Sequence, residues 1–443
     1  MNPKDSNHRS RSVFERRRAA VFERLGAGVM VLPAAPIQYR SRDTEIPYRP
    51  DSELYYVTGA TEPGTVAVLV GGTSPSFQLF VRDRDSEAEL WSGPRLGAVG
   101  AAERFGADET HPVSELAFRV PQLLKTADRI HFRLGRGDEV ESLVRNALVQ
   151  ARARGPRTGT GPRGLTDPGE ILDELRLRKD AHEIQCLRAA AALSIEGHLA
   201  GVAELKAGAG EWRVEASVNA AFRRGGGTGP GYGTIVGSGP NACVLHYVAN
   251  SRVMEKGDLV LLDAGAELGM YQGDVTRTYP VDGVFSGRQR AVYEVVERAR
   301  AAAVEAVAPG ASLAEIHGSA VRVVVEGLVS MGVLKGDLEE LVATDAHRPW
   351  FPHQTSHWLG LDVHDPGDCA RDGSPRLLEP GMTFTVEPGL YFPADSEEGA
   401  AAFAGIGVRV EDDVVVTEDG HDNLTRALPT APDDIEALVR SLR

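Results

Sequence analysis

The chain is poor in cysteine. Cys186, Cys243 and Cys369 are three in 443 residues, too few and too scattered for a disulfide framework or a thiolate zinc site. Positive charge is also in deficit: 48 Lys and Arg against 63 Asp and Glu give a formal net charge of -15. A surface that tracks phosphates needs the opposite surplus, so no nucleic-acid partner is expected. No apolar run approaches the roughly 18 residues of a membrane-spanning helix, so no membrane partner is expected either. The polar, Arg-rich stretch from Met1 to Arg18 lacks an apolar signal core, and a cytoplasmic location follows as the expectation. What remains is ordinary. A hydrophobic fraction of 42% with 25% charged residues fits a globular protein of about two or three domains.

Residues 1–12 read as a flexible tail. Val13–Leu25 reads as a basic helix that stops at Gly26 and Gly28. Apolar runs at Gly28–Leu32, Thr65–Val70 and Phe77–Val81 read as strands, with helical stretches near Val113–Leu124 and Glu139–Arg152; this makes residues 13–175 an α/β domain. Arg152 to Gly169 is rich in Gly, Pro, Arg and Thr and reads as a linker. Ile171–Leu205 is strongly helical. From Tyr232 onward, strand-like segments including Leu259–Ala264, Met382–Val386 and Gly407–Val416 alternate with helices. Residues 176–443 therefore form a second, α+β domain.

The most informative segment is Leu259-Val260-Leu261-Leu262-Asp263-Ala264-Gly265, followed by a turn and Tyr271-Gln272-Gly273-Asp274. The run before Asp263 is apolar on both faces, as a buried strand requires. A hairpin centred on Leu268-Gly269 places Asp263 and Asp274 opposite each other, about 4.5–5.5 Å apart at Cβ, where like charges repel. Either both carboxylates are solvated on an exposed hairpin, or they are buried and share a proton or a cation.

Four histidines fall in two short stretches, His246 in one, and His353, His357 and His364 in the other. Strand alternation puts Thr383, Thr385 and Glu387 on one face, and Arg409 with Glu411 on one face of a later strand. Two Asp, at least one His and two Glu make an oxygen-rich donor set. Such a set suits Mn²⁺ above all, with Co²⁺ or Zn²⁺ possible. Four carboxylates among five ligands are enough for two divalent ions that share bridging groups.

In order, Asp263, Asp274, His357, Glu387 and Glu411 resemble the five metal ligands of the pita-bread metallopeptidases (peptidase family M24). The surrounding Thr234-Ile235-Val236-Gly237-Ser238-Gly239, His357-Trp358-Leu359-Gly360-Leu361-Asp362-Val363-His364-Asp365 and Gly405–Asp413 are similar to aminopeptidase P, the Xaa-Pro aminopeptidase family. Ser41–Arg49 and Glu89–Gly97 resemble its amino-terminal domain. The resemblance implies a creatinase/ribonuclease-H-like α/β domain ahead of a pita-bread catalytic domain. It implies a dinuclear Mn²⁺ enzyme that removes the first residue of peptides with proline second, by attack of a metal-bridging hydroxide. Asp263 would chelate one metal, Asp274 and Glu411 would bridge both, and His357 and Glu387 would hold the second. Glu387 would also carry the proton. The resemblance further makes His246, His353 and His364 substrate and transition-state contacts, and has Arg409 orient carboxylates. Tyr232 and Tyr391 match tyrosines near the substrate. Trp91 would reach the site of a neighbouring subunit in a homo-oligomer, a dimer or a tetramer. Departures lie at the Gly-rich 225–233 stretch and at Ala404, beside substrate-facing loops. A prolidase shares the metal set, and some relatives keep the fold without peptidase activity.

Overall fold

A computed structural model of the chain describes residues 3–396 and 399–442. The chain divides into two compact units, Met1–Leu175 and Arg176–Arg443.

The first unit is built on a six-stranded sheet. Its strands are β1 (Val29–Pro33), β2 (Val66–Val70), β3 (Ser76–Val81), β4 (Glu109–Pro112), β5 (Ile130–His131) and β6 (Leu165–Thr166), in the order β4-β3-β2-β1-β5-β6. The β1–β2–β3 pairs are antiparallel, and the outer pairs are parallel. Buried Val29, Val31, Val68 and Phe80 on one face meet Leu116, Val120 and Val144 from flanking helices. Helix α1 covers Pro3–Leu25, so the segment expected as a tail is helical from Pro3, while residues 1 and 2 lie outside the described residues. Helix α2 (Ser86–Ser92) carries Trp91, which is 85% exposed. Helix α3 (Leu116–Leu124) precedes α4 (Asp138–Thr158), and α4 runs through the first part of the expected linker. It stops where Gly159, at φ 69°, supplies a left-handed cap that residues with a Cβ adopt at a cost.

In the second unit the expected single helix over 171–205 is two helices, because Asp180 interrupts it. Its side chain accepts from the His182 and Glu183 amides, and Glu183 reaches back, forming a capping box at the start of α5 (Ala181–Val202). Helices α5, α6 (Glu211–Arg224), α7 (Gly287–Glu305) and α8 (Leu313–Ser330) share one core with the strands. They are β7 (Ile235–Ser238), β8 (Leu259–Asp263), β9 (Ala266–Leu268), β10 (Tyr271–Gln272), β11 (Thr276–Pro280), β12 (Thr383–Val386), β13 (Gly389–Phe392), β14 (Ile406–Arg409) and β15 (Asp412–Val416). Every residue of β8 is buried, as its two-sided apolar run requires. Val260, Leu262, Val324, Phe384 and Val414 belong to that core. Among the described residues no helix is long and apolar enough to cross a membrane.

Candidate metal centre and active site

Strands β8 and β11 pair antiparallel with Asp263 opposite Thr276, and β9 and β10 continue the same register with Leu268 opposite Tyr271. The turn is therefore Gly269-Met270, both at positive φ (61° and 75°), as a two-residue hairpin turn of the primed type demands. This corrects the expected hairpin centre: Asp274 stands level with Gly265, not Asp263. The offset is built in by glycine, since a Cβ on Gly265 would lie 1.7 Å from the Gly273 carbonyl oxygen.

The two carboxylates still converge. The Tyr232 hydroxyl lies 2.5 Å from Asp263 Oδ1 and 2.5 Å from Asp274 Oδ1, and its one proton serves only one of them at a time. His357 Nε2 is 3.3 Å from Asp274 Oδ2 and 3.6 Å from Glu387 Oε1. Donor atoms of Asp274, His357 and Glu411 all lie within 4.8 Å of one another. Glu387 follows the last residue of β12. Glu411 sits in a break between β14 and β15, where one continuous strand was expected; its amide bonds Thr276 O at 3.0 Å, and Thr276 Oγ1 donates to its Oε2 at 2.6 Å. Arg409 ends β14 and reaches Asp263 Oδ2 at 2.5 Å and the Tyr391 hydroxyl at 2.9 Å.

These groups line a cavity of about 700 Å³, together with His246, His353, His364, Asp362 and Val363. Tyr391 is buried behind it, with its hydroxyl 2.8 Å from His353 Nε2. So the structure brings together every residue expected at the site within the second unit, while Trp91 belongs to the first unit.

The electrostatics of the site follow from burial and from carboxylates crowded together. Burial, reinforced by neighbouring carboxylates, holds Glu411 well above its ordinary range and raises Glu387 to about 7. Burial and Asp274 likewise raise Asp263 against the pull of Arg409. Burial opposes the charge on His357, yet its hydrogen bond to Asp274 and the nearby carboxylates raise it to about 9. Burial and Arg409 lower His353 to about 4, and burial with His357 lowers His364. Four carboxylates against Arg409 and the His357 imidazolium are still short of positive charge, which is the condition a divalent cation relieves. The donor set of carboxylate oxygens and one imidazole fits such an ion.

Three contributors escaped the sequence reading. Asp413 accepts the Asp274 amide at 3.1 Å through Oδ2, and burial beside Asp274 raises it well above its usual range. Strand periodicity in Glu411-Asp412-Asp413 could have found it, because it puts 411 and 413 on one face. Arg176 and Lys179 hold Asp365 at the end of the loop carrying His364, and no local pattern signals them.

Residues 185–418 match metallopeptidase family M24, and residues 14–131 match the aminopeptidase P N-terminal domain. The chain belongs to metallopeptidase family M24 and is a hydrolase of the Xaa-Pro aminopeptidase group within it. It is 43% identical over 437 residues to Xaa-Pro aminopeptidase of Escherichia coli (strain K12), covering 98% of this chain and 99% of that protein. Aminopeptidase PepP of Pseudomonas aeruginosa has the same fold at a TM-score of 0.94 and 40% identity, with 98% of each chain covered. An Escherichia coli aminopeptidase P variant in complex with substrate gives a TM-score of 0.93 at 42% identity, covering 98% of this chain and 99% of that one. The second unit is thus a pita-bread catalytic domain.

Proposed function

We propose that the chain is a dinuclear metal-dependent Xaa-Pro aminopeptidase that releases the first residue of peptides with proline second. The observation that carries this reading is the convergence of Asp263, Asp274, Glu387 and Glu411 around His357 in one cavity, short of positive charge. Those five residues would hold two divalent ions, Mn²⁺ by preference, since oxygen-rich sets with a single imidazole favour it. Bound there, the ions supply a polarised scissile carbonyl and an acidified water.

The remaining work falls to side chains. An Xaa-Pro bond is a tertiary amide with no N–H, so recognition has to come from the substrate's free amine and carbonyl. The free amine is drawn to the acidic cavity. His353 and His364, both lowered in pKa, are neutral at pH 7 and present imidazoles to substrate without adding charge; His364 donates to the carbonyl oxygen as negative charge develops there. His246 lines the same wall. Glu387 accepts a proton from the attacking water at a carboxylate oxygen and passes it to the proline nitrogen. Arg409, tied to Asp263 and Tyr391, keeps these carboxylates in place, and Tyr232 and Tyr391 shape the substrate's bed.

The same reading includes a homo-oligomer, dimer or tetramer, and a cytoplasmic location. What supports the oligomer is Trp91, a large side chain left 85% exposed, suited to cover a neighbouring subunit's substrate. Light scattering of wild type and Trp91→Ala tests it.

The deciding experiment is hydrolysis of Ala-Pro-Ala by protein stripped with chelator and reloaded with Mn²⁺. Release of Ala only after reloading is the expected result. Cleavage of Ala-Pro but not of the tripeptide would make the chain a prolidase. Cleavage of neither, with metal bound, would remove the peptidase reading.

A further inference from the structure

The geometry points to Gln272 as a positioning residue. We propose that its side-chain amide clamps together the two loops lining the cavity and, through the loop 360–364, sets the place of His364. The effect on turnover rests on His364 contacting substrate as proposed above; the clamp itself does not.

Gln272 is 1% exposed at the end of β10. Its backbone N–H donates to Gly360 O at 3.0 Å. Its Nε2 donates to Leu361 O at 3.1 Å, to Glu267 Oε2 at 2.8 Å and to Met270 O at 3.3 Å. All three partners are acceptors. The amide therefore has one orientation, because turning it over would set Oε1 against three oxygens. Oε1 then has no hydrogen-bond partner among the described residues and packs on the other loop. A Cβ on Gly231 would lie 2.1 Å from Oε1 and 3.5 Å from Val363 Cγ2.

Glycine at 231 is thus required by close approach. The loop it belongs to carries Tyr232, which bridges Asp263 and Asp274. On the opposite side, 360–364 carries Val363 and His364 into the cavity wall, with the His364 ring edge-on to His357 at 4.3 Å between centroids. Glu267 ties the clamp back further, since its Oε1 accepts from Thr228 Oγ1 at 2.5 Å. An apolar side chain at 272 would leave buried Leu361 O and Glu267 Oε2 without this donor and let the loop move.

Gln272→Met keeps the volume and removes the donor. In the Mn²⁺-loaded full chain, hydrogen exchange across 359–366 should speed up in this variant, while exchange in Leu259–Asp263 and metal content stay as in wild type. With Ala-Pro-Ala, kcat should fall at least about tenfold with KM nearly unchanged, the size expected when a catalytic group loses its alignment. Introduced into His364→Ala, the same substitution should change kcat less than about twofold, since the group it positions is gone. Gly231→Ala, which pushes on the same amide, should reproduce the exchange signature. Unchanged exchange at 359–366 in both variants overturns the clamp, and an equal kcat loss in both backgrounds overturns its action through His364. If wild type cleaves no Xaa-Pro substrate, the activity reading fails while the exchange result still decides the clamp.

Discussion

Two kinds of buried carboxylate cluster sit in the second unit, and they differ in where their counter-charge comes from. Asp365 is gripped by Arg176 at 2.6 Å and Lys179 at 3.1 Å, and Asp412 by Arg277 at 2.7 Å and Arg300 at 2.8 Å. Burial works against both charges, yet the paired cations pull Asp365 below its ordinary value and Asp412 down to about 2. Around the cavity the balance is reversed, and Asp263, Glu387 and Glu411 are all raised. A carboxylate neutralised from within is scaffold. A carboxylate cluster left short of cations, on the wall of a cavity, could hold a cation from outside.

The most severe break in that comparison is Asp274→Asn. Turnover should fall to background and metal content should drop, while the metal-free fold keeps its stability, because the substitution relieves repulsion there. Full activity in this variant would remove Asp274 from the ligand set. Asp365→Asn should do the reverse. It takes the carboxylate from Lys179, leaves Arg176 with Asp362 alone at 2.7 Å, and should cost about 3–5 kcal/mol in urea unfolding, while the folded fraction still binds metal; a loss under about 1 kcal/mol would mean the cluster is not structural.

pH separates the two clusters by sign. Glu387 is raised from 4.5 to about 7, so its contribution to the metal-free protein is complete below pH 4.5 and lost as pH rises through about 7. Asp412 is lowered from 3.8 to about 2, so its contribution is complete above pH 3.8 and lost as pH falls through about 2. The thermal stability of chelated protein should accordingly fall toward neutral pH. Mn²⁺ at about 100 times its dissociation constant should restore about 2.7 kcal/mol. A metal-free protein whose stability did not decline across pH 5–7 would contradict the charge deficit. The smallest effect belongs to the exposed Arg178–Glu379 pair at 2.5 Å. Arg178→Ala should shift stability by no more than about 1 kcal/mol, as solvent screening dictates.

Much of this site was legible in one dimension. The apolar run before Asp263 marked a buried strand, a property of composition and periodicity, and the order of Asp, Asp, His, Glu and Glu pointed to a ligand set through its resemblance to a known family. The hairpin register was not legible. A centre at Leu268-Gly269 and one at Gly269-Met270 differ by a single position, and Met270 at φ 75° has no signature a sequence shows. The break at Val410-Glu411 was hidden for a similar reason, since alternation runs through it unbroken.

By itself the sequence determined which donors exist, their order and the family they belong to, since these follow from residue types and spacing. Only the tertiary structure decided which acids are paired with buried cations and which are left short of counter-charge. Arg176 and Lys179 stand 189 and 186 residues before Asp365, and Gln272 meets Leu361 across 89. Charge pairing and hydrogen bonding depend on distances of a few ångströms in space, and no period along the chain encodes them.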